Sequence, residues 1–161
     1  MGMGMVRKID ELGRVVIPKE MRRVLGIKTG SSVEMCINDS REIVLKKFYE
    51  LDNAIEFACD LCDTIFESVG VQNVICDEEK VVASKGVKGG GLNGVIDKII
   101  SCPLLQYKDS VIDGFSYMYI LALKSDGYEV GRAVLFLNEK DEVKIAQIDL
   151  LVTFASTFLK G

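Results

Sequence analysis

The chain has 161 residues, 48% of them hydrophobic, and a formal net charge of −4. This composition excludes a mainly disordered chain, and no apolar run approaches the roughly 18 residues of a membrane-spanning helix. The first residues lack a basic segment followed by an apolar core, so no secretory signal peptide is predicted. Five cysteines, an odd number with irregular spacing, predict no disulfide framework and favour a reducing, cytoplasmic location.

Charge is divided unevenly along the chain. Residues 1–48 hold 10 Lys and Arg against 6 Asp and Glu, a net charge of +4, whereas residues 49–161 carry a net charge of −8. A basic segment on an otherwise acidic chain indicates a polyanionic partner, and double-stranded DNA is the first candidate. We therefore predict two domains, 1–48 and 49–161, the first of which binds DNA.

The first domain is predicted to contain two hairpins and one short helix. Its elements are strands over residues 5–9 and 14–17, a helix over residues 19–25, and strands over residues 33–37 and 42–47. A domain of this size buries too little apolar surface to be comfortably stable alone, and its sequence offers no disulfide or metal set as a substitute. Oligomerisation is the remaining support, so we predict an obligate dimer through residues 1–48.

The second domain is predicted to be an α+β domain that opens with a long helix over residues 51–69, where apolar residues recur at three- and four-residue steps. Residues 103–115 have no clear periodicity and are interpreted as irregular or as a weak strand. The other predicted elements are strands over residues 72–76 and 80–84, a helix over 92–101, strands over 116–124 and 130–138, and a helix over 142–159. This order predicts one antiparallel sheet with helices against it.

The segment Ile9-Asp10-Glu11-Leu12-Gly13-Arg14-Val15-Val16-Ile17-Pro18 closely resembles the signature of AbrB-type transition-state regulators, and the resemblance continues to Lys47. It implies an N-terminal swapped-hairpin β-barrel dimer, in which two chains interleave their strands. An AbrB-type domain followed by a long helix and an α+β domain further resembles the group of regulators like stage V sporulation protein T, whose second half is a GAF domain. This group implies a sequence-tolerant DNA-binding transcription regulator of sporulation genes. It also implies a tetramer assembled through GAF domains, and a small-molecule effector that the sequence does not identify.

Six basic residues of the first domain are the candidate DNA contacts. The resemblance implies this role for four arginines, Arg7, Arg14, Arg22 and Arg23. A guanidinium can hold phosphate bidentately or reach guanine edges, whereas Lys8 and Lys19 would add phosphate contacts of lower geometric demand. The alternative interpretation is that these are solvated surface charges, paired with neighbouring carboxylates such as Asp10, Glu11 and Glu20.

Three further patterns carry weaker functional hypotheses. Cys59 and Cys62 have the spacing of a zinc or redox site, but they lie in the apolar stripe of a helix in a chain without histidine. We expect buried thiols and no metal or cofactor, with a four-cysteine zinc site across a dimer left open. The glycine-rich residues 86–94 could approach a phosphate, but they fit no nucleotide-binding pattern, which favours a surface loop. Aromatic residues at 115, 117 and 119, with Tyr107 and Tyr128, could stack on a planar ligand, but one packed strand face is favoured.

Two other functional classes compete with a transcription regulator. Antitoxins share the swapped-hairpin fold, but they carry a disordered tail, whereas residues 49–161 are rich in strand and helix signals. An enzyme would need a nucleophile such as Cys76 or Cys102, and the chain offers no histidine or other organised acid–base group beside it. The sequence therefore predicts a protein that is not an enzyme.

Overall fold

A computed structural model describes residues 4–87, 92 and 96–159. The chain consists of two compact units, Met1–Phe48 and Tyr49–Gly161. None of the helices in the described residues is long and apolar enough to cross a membrane.

The first unit contains one short helix and one β-hairpin. Helix α1 spans Lys19–Val24 and follows Pro18, a residue suited to the start of a helix because its fixed φ is compatible with the first turn. Strands β1 (Val33–Ile37) and β2 (Ile43–Lys47) pair antiparallel, with Ile37 opposite Ile43. The turn between them is closed by Asn38, whose side-chain oxygen accepts a hydrogen bond from the Glu42 N–H at 2.9 Å.

The prediction of two strands before α1, over residues 5–9 and 14–17, is wrong for the single chain. Residues 5–9 and 14–17 have no strand assignment, although a turn at Asp10–Leu12 joins them. A strand needs a neighbour for its backbone N–H and C=O groups. Among the described residues of this unit, only β1 and β2 pair with each other as strands.

The second unit is a five-stranded antiparallel sheet with helices on both faces. The strand order is β4-β3-β7-β6-β5. Its strands are β3 (Gln72–Cys76), β4 (Val81–Lys85), β5 (Tyr107–Asp109), β6 (Tyr117–Ser125) and β7 (Tyr128–Leu137). Its helices are a 3-10 helix at Glu50–Asn53 and the α-helices α2 (Ile55–Val69), α3 (Ile96–Ser101) and α4 (Glu142–Ser156). Asp126 and Gly127, both with positive φ, form the turn between β6 and β7.

Each face of this sheet carries its own hydrophobic core. One core joins α2 and α4 to the sheet through fully buried residues such as Ile65, Leu121 and Ile148. The other lies on the α3 face and includes Ile99, Ile120 and Phe136. Successive residues of β6 alternate between the two cores, as the period of a strand requires.

The long helix predicted over residues 51–69 begins later, at Ile55. Residues 50–53 form a separate 3-10 helix, and Ala54 after it has non-helical dihedral angles. Leu51 is fully buried beside Gly131 of β7, where an added Cβ would lie 2.4 Å from the Leu51 side chain. The tight insertion of Leu51 at this glycine accounts for the break. Of the helix predicted over residues 92–101, residues 93–95 lie outside the described residues, and the structure describes α3 over Ile96–Ser101.

Candidate nucleic-acid interface

Five of the six basic candidates are solvent-exposed side chains. Arg7 and Lys8 lie before the turn at Asp10–Leu12, Arg14 follows it, and Lys19 and Arg23 lie on α1. Arg7 and Lys8 form no ion pair within the described residues. The first unit therefore presents cationic side chains to solvent in two places, on its N-terminal turn and on α1.

Helix α1 arranges three of the candidates. Lys19 and Arg23 are four residues apart, so they share one face of the helix, and with Glu20 they border a surface hollow of about 500 Å³. Arg22 lies about 100° further round the helix. None of the residues of α1 is buried. Arg22 and Arg23 occupy its last turn, where their positive charges interact favourably with the negative end of the helix dipole.

Arg14 is held in place by the turn that precedes it. Its Nε donates to Asp10 Oδ2 at 2.8 Å, and Asp10 Oδ1 accepts from the backbone N–H groups of Arg14 at 2.8 Å and Leu12 at 3.0 Å. Gly13 adopts φ +77° and donates its N–H to the Asp10 carbonyl. These bonds, led by the Arg14 backbone N–H, hold the pKa of Asp10 below its usual value. The Arg14 side chain is still 72% exposed, so it can bind a second anion.

Arg22 differs from the other candidates because its side chain is half-buried. Its Nε atom is shielded from solvent and has no hydrogen-bond partner within the described residues. A shielded donor without an acceptor costs free energy. An acceptor from DNA or from a second chain would remove that cost.

The first unit also exposes many large apolar side chains. Pro18 and Ile27 are the only buried residues among those that the structure describes in this unit. Large apolar side chains that remain exposed include Met5, Val6, Ile9, Leu12, Val15, Val16, Val24, Leu25, Met35, Ile37 and Ile43. Sequence reasoning anticipated a small core from the unit's length, but not which side chains would be left on the surface.

The Cys-x-x-Cys pair on α2 combines one exposed and one buried thiol. Cys59 is exposed, whereas Cys62 is buried, and burial raises the pKa of the Cys62 thiol to about 12. Within the described residues, no group of three or more Cys, Asp or Glu side chains could hold a metal ion. Burial also raises the pKa of Cys76 to about 12, so its thiol is almost entirely protonated at neutral pH.

The aromatic residues near β6 divide between the two cores. Phe115 packs on Phe136 of the α3-side core, with ring centroids 5.4 Å apart. Tyr117 and Tyr119 lie on the other face and contact Tyr107. The expectation of a single packed face is therefore wrong for Phe115. This residue precedes β6, so the alternation of side chains along that strand does not determine its direction.

Most of the glycine-rich segment 86–94 lies outside the described residues.

Comparison with known proteins finds relatives of the first unit alone and one relative that matches most of the chain. Residues 6–47 match the family described as antidote-toxin recognition MazE, bacterial antitoxin. Stage V sporulation protein T of Bacillus subtilis (strain 168) is 39% identical over 138 residues, which cover 81% of this chain and 76% of that protein. Transition state regulatory protein AbrB of the same organism is 56% identical over 45 residues, 28% of this chain and 46% of that protein.

Two solved structures extend these comparisons. The solution structure of the N-terminal DNA recognition domain of Bacillus subtilis AbrB is 53% identical and covers 29% of this chain and 87% of that domain, with a TM-score of 0.26. The GAF domain of Thermosynechococcus elongatus PixJ, in its blue-light absorbing form, covers 70% of this chain and 88% of that domain, with 11% identity and a TM-score of 0.50. The second likeness confirms the predicted GAF-like fold, an antiparallel sheet with flanking helices.

Proposed function

Because the chain belongs to the family of stage V sporulation protein T, we propose that it is a sequence-tolerant, DNA-binding regulator of the transcription of sporulation genes in the cytoplasm. The observation that carries this proposal is the exposed basic surface of residues 7–23, in the segment that is similar to AbrB. The solved AbrB domain is itself a DNA recognition domain. In this proposal residues 1–48 form the domain that binds DNA. Residues 49–161 form the domain that assembles the oligomer and senses an effector.

We assign the DNA contacts to Arg7, Arg14, Arg22 and Arg23, with Lys8 and Lys19 as supporting phosphate contacts. The ion pair with Asp10 fixes the direction of the Arg14 side chain, and a guanidinium held in this way loses less entropy when it binds phosphate. Arg22 supplies a shielded donor that lacks an acceptor within the described residues. Contacts of this kind are made mostly to the phosphate backbone, which suits a protein that tolerates many sequences.

A dimer through residues 1–48 completes the DNA-binding unit in this proposal. The exposed apolar side chains of that unit lie on the same segments as the basic residues, from Met5 to Val24. Exposed apolar surface of this extent on a small unit marks an interface. A second copy of the chain would supply the neighbouring strands that residues 5–9 and 14–17 lack, and it would double the cationic surface.

Helix α4 offers a second interface, through which two dimers would form a tetramer. Ile145, Ile148 and Val152 on one side of α4 belong to the core of the second unit. Its other side exposes Val143 (70%) and Leu150 (72%), seven residues apart, followed by Phe154, and Phe158 is exposed just after the helix ends. Apolar residues at seven-residue spacing on an exposed helix are typical of packing between helices.

In this proposal the GAF domain also binds a small-molecule effector.

The DNA-binding proposal is tested by salt titration of Arg14→Ala and Arg22→Ala, with Lys46→Ala as a control that removes an exposed positive charge from β2. Each arginine variant should weaken binding to duplex DNA by about 1–3 kcal/mol, and the slope of log K against log salt should fall by about one. The control should leave both quantities close to wild type. Unchanged binding for both arginine variants over the whole titration would refute the proposal.

A second candidate function is that of an antitoxin, because residues 6–47 match an antitoxin family. In that case residues 49–161 would neutralise a toxin. The two well-packed cores of the second unit do not favour this function, since they leave no disordered tail among the described residues. Purification from the native host would decide, because a stoichiometric partner chain favours the antitoxin and a homo-oligomer favours the regulator.

A further inference from the structure

Three tyrosines meet near the free edge of the second unit's sheet. Tyr107 of β5 lies directly opposite Tyr119 of β6, and their ring centroids are 5.0 Å apart in an edge-to-face arrangement. Tyr117 approaches Tyr107 in the same manner, at 6.2 Å. Edge-to-face packing leaves ring faces available to other groups, and the face of an aromatic ring carries negative potential.

The ammonium group of Lys140 lies over two of these rings. Its Nζ is 5.3 Å from the centroid of Tyr117 and 5.7 Å from that of Tyr107, both within the range of a cation–π interaction. Lys140 forms no salt bridge within the described residues, so the two rings are the cation's described partners. Two of the three tyrosines, which together we call the tyrosine cage, thus already bind a cation from their own chain, and Tyr119 packs against one of them.

Carboxylates add negative potential around the cage. Burial raises the pKa of Tyr107 and Tyr119, and the charge of Glu142 near both phenols adds to the rise. A hydrogen bond with the Asp141 backbone lowers the pKa of Tyr107 while the charge of Asp141 raises it, and the charge of Asp149 raises the pKa of Tyr119. A positive charge placed between these side chains is favoured both by the ring faces and by the carboxylates.

We propose that the tyrosine cage is a binding site for an organic cation of the quaternary-ammonium class, for which Lys140 is an internal competitor. Aromatic faces offer no lone-pair ligands for a metal ion, whereas methylated ammonium groups contact rings through their methyl groups and carry a diffuse charge. The next residue, Asp141, caps α4 by accepting the Lys144 N–H at 3.0 Å. Displacement of Lys140 would therefore act directly at the start of the helix that carries the exposed apolar surface.

The site is tested with the full chain by titrating tetramethylammonium chloride against potassium chloride of equal ionic strength. The chain has no tryptophan and five tyrosines, so intrinsic tyrosine fluorescence reports largely on the three cage residues. Lys140→Met removes the competing charge, and it should bind tetramethylammonium about threefold to thirtyfold more tightly than wild type, the range that a cation–π contact spans. The matched control, Lys124→Met, removes an exposed lysine from the far end of β6 and should bind like wild type.

A second pair of variants tests the rings themselves. Adding Tyr117→Leu to Lys140→Met should reverse the gain, whereas adding Tyr128→Leu, a change at an exposed tyrosine on β7, should not. The proposal is overturned if Lys140→Met and Lys124→Met bind tetramethylammonium equally, or if the Tyr117 change has no effect. If Tyr117→Leu does not fold, as judged by its circular-dichroism melt, the comparison of the two lysine variants decides alone.

Discussion

The two units of this chain use hydrophobic residues in opposite ways. The second unit buries large side chains on both faces of its sheet, so its fold is complete within one chain. The first unit buries Ile27 and exposes most of its other aliphatic residues, among them Val6 at 95%. Its sequence is still specific enough to match a family over residues 6–47. In the proposed dimer, the contacts that stabilise this well-defined sequence pattern would come from a second copy of the chain.

Charge sharpens the comparison. The unit that lacks its own core is the basic one, and the self-contained unit is acidic. If residues 1–48 carry both DNA binding and dimerisation, then a substitution that disrupts the dimer leaves each chain with half of the cationic surface. In the proposed tetramer the negative charge of the second unit would disfavour its contact with DNA, and packing through α4 would join the two dimers.

The largest expected effect is on the core of the second unit. Ile148→Ala removes a fully buried side chain from α4 and should cost about 2–5 kcal/mol of unfolding free energy, at every protein concentration. Gln147→Ala, one residue earlier on α4 at an exposed position that the proposed interface does not use, should cost little in that measurement. Urea denaturation at two protein concentrations distinguishes these cases. A small loss for Ile148→Ala would contradict a self-contained second unit.

The next largest effect concerns self-association of the first unit. A substitution at a side chain that is exposed in the single chain but buried in the proposed dimer should leave a monomer unchanged and weaken a dimer. Val16 is 75% exposed in one chain, so Val16→Asp would be harmless to a unit that worked alone. In the proposed dimer it buries an unpaired carboxylate, and self-association should weaken by at least about tenfold. Thr29→Asp adds the same charge at an exposed turn and serves as the control in sedimentation experiments. Equal association of both variants would refute the dimer through residues 1–48.

The smallest effect concerns the turn that holds Arg14. Because the pKa of Asp10 is lowered in the folded chain, its contribution to stability is fully present above the unfolded pKa and is lost as pH falls through the lower, folded pKa. An NMR titration should find the Asp10 carboxyl midpoint below 3.8, and Arg14→Ala should move it upward. A midpoint that does not change on this substitution would show that the ion pair contributes nothing in solution.

Local patterns predicted the second unit well, because its helices and strands are stabilised by contacts within the same chain. Strand β3 was predicted at its observed bounds, and the turn at Asp126 and Gly127 followed from residues that tolerate positive φ. The break between the 3-10 helix and α2 could not be predicted, because it depends on Leu51 meeting Gly131, which is 80 residues away in sequence.

The first unit shows the limit of sequence reasoning more clearly. Helix α1 and the hairpin of β1 and β2 were predicted from local signals. The segments 5–9 and 14–17 have a strand pattern, yet they lack strand pairing in the single chain. The ion pair of Arg14 with Asp10 was anticipated only as an alternative to DNA contact, and the structure shows that one arrangement can serve both. The shielded Nε of Arg22 left no signal in the sequence, and the aromatic pattern named the tyrosines of the cage but not the position of Lys140 over them, since both features depend on packing.

Sedimentation velocity of the full chain, measured with and without duplex DNA over a range of protein concentrations, tests the central claim most directly. We predict that every species that binds DNA contains at least two chains, and that dilution below the dimer's dissociation constant removes self-association and DNA binding together. A monomer that binds DNA as tightly as the oligomer would contradict the claim that the first unit is completed by a second copy of the chain.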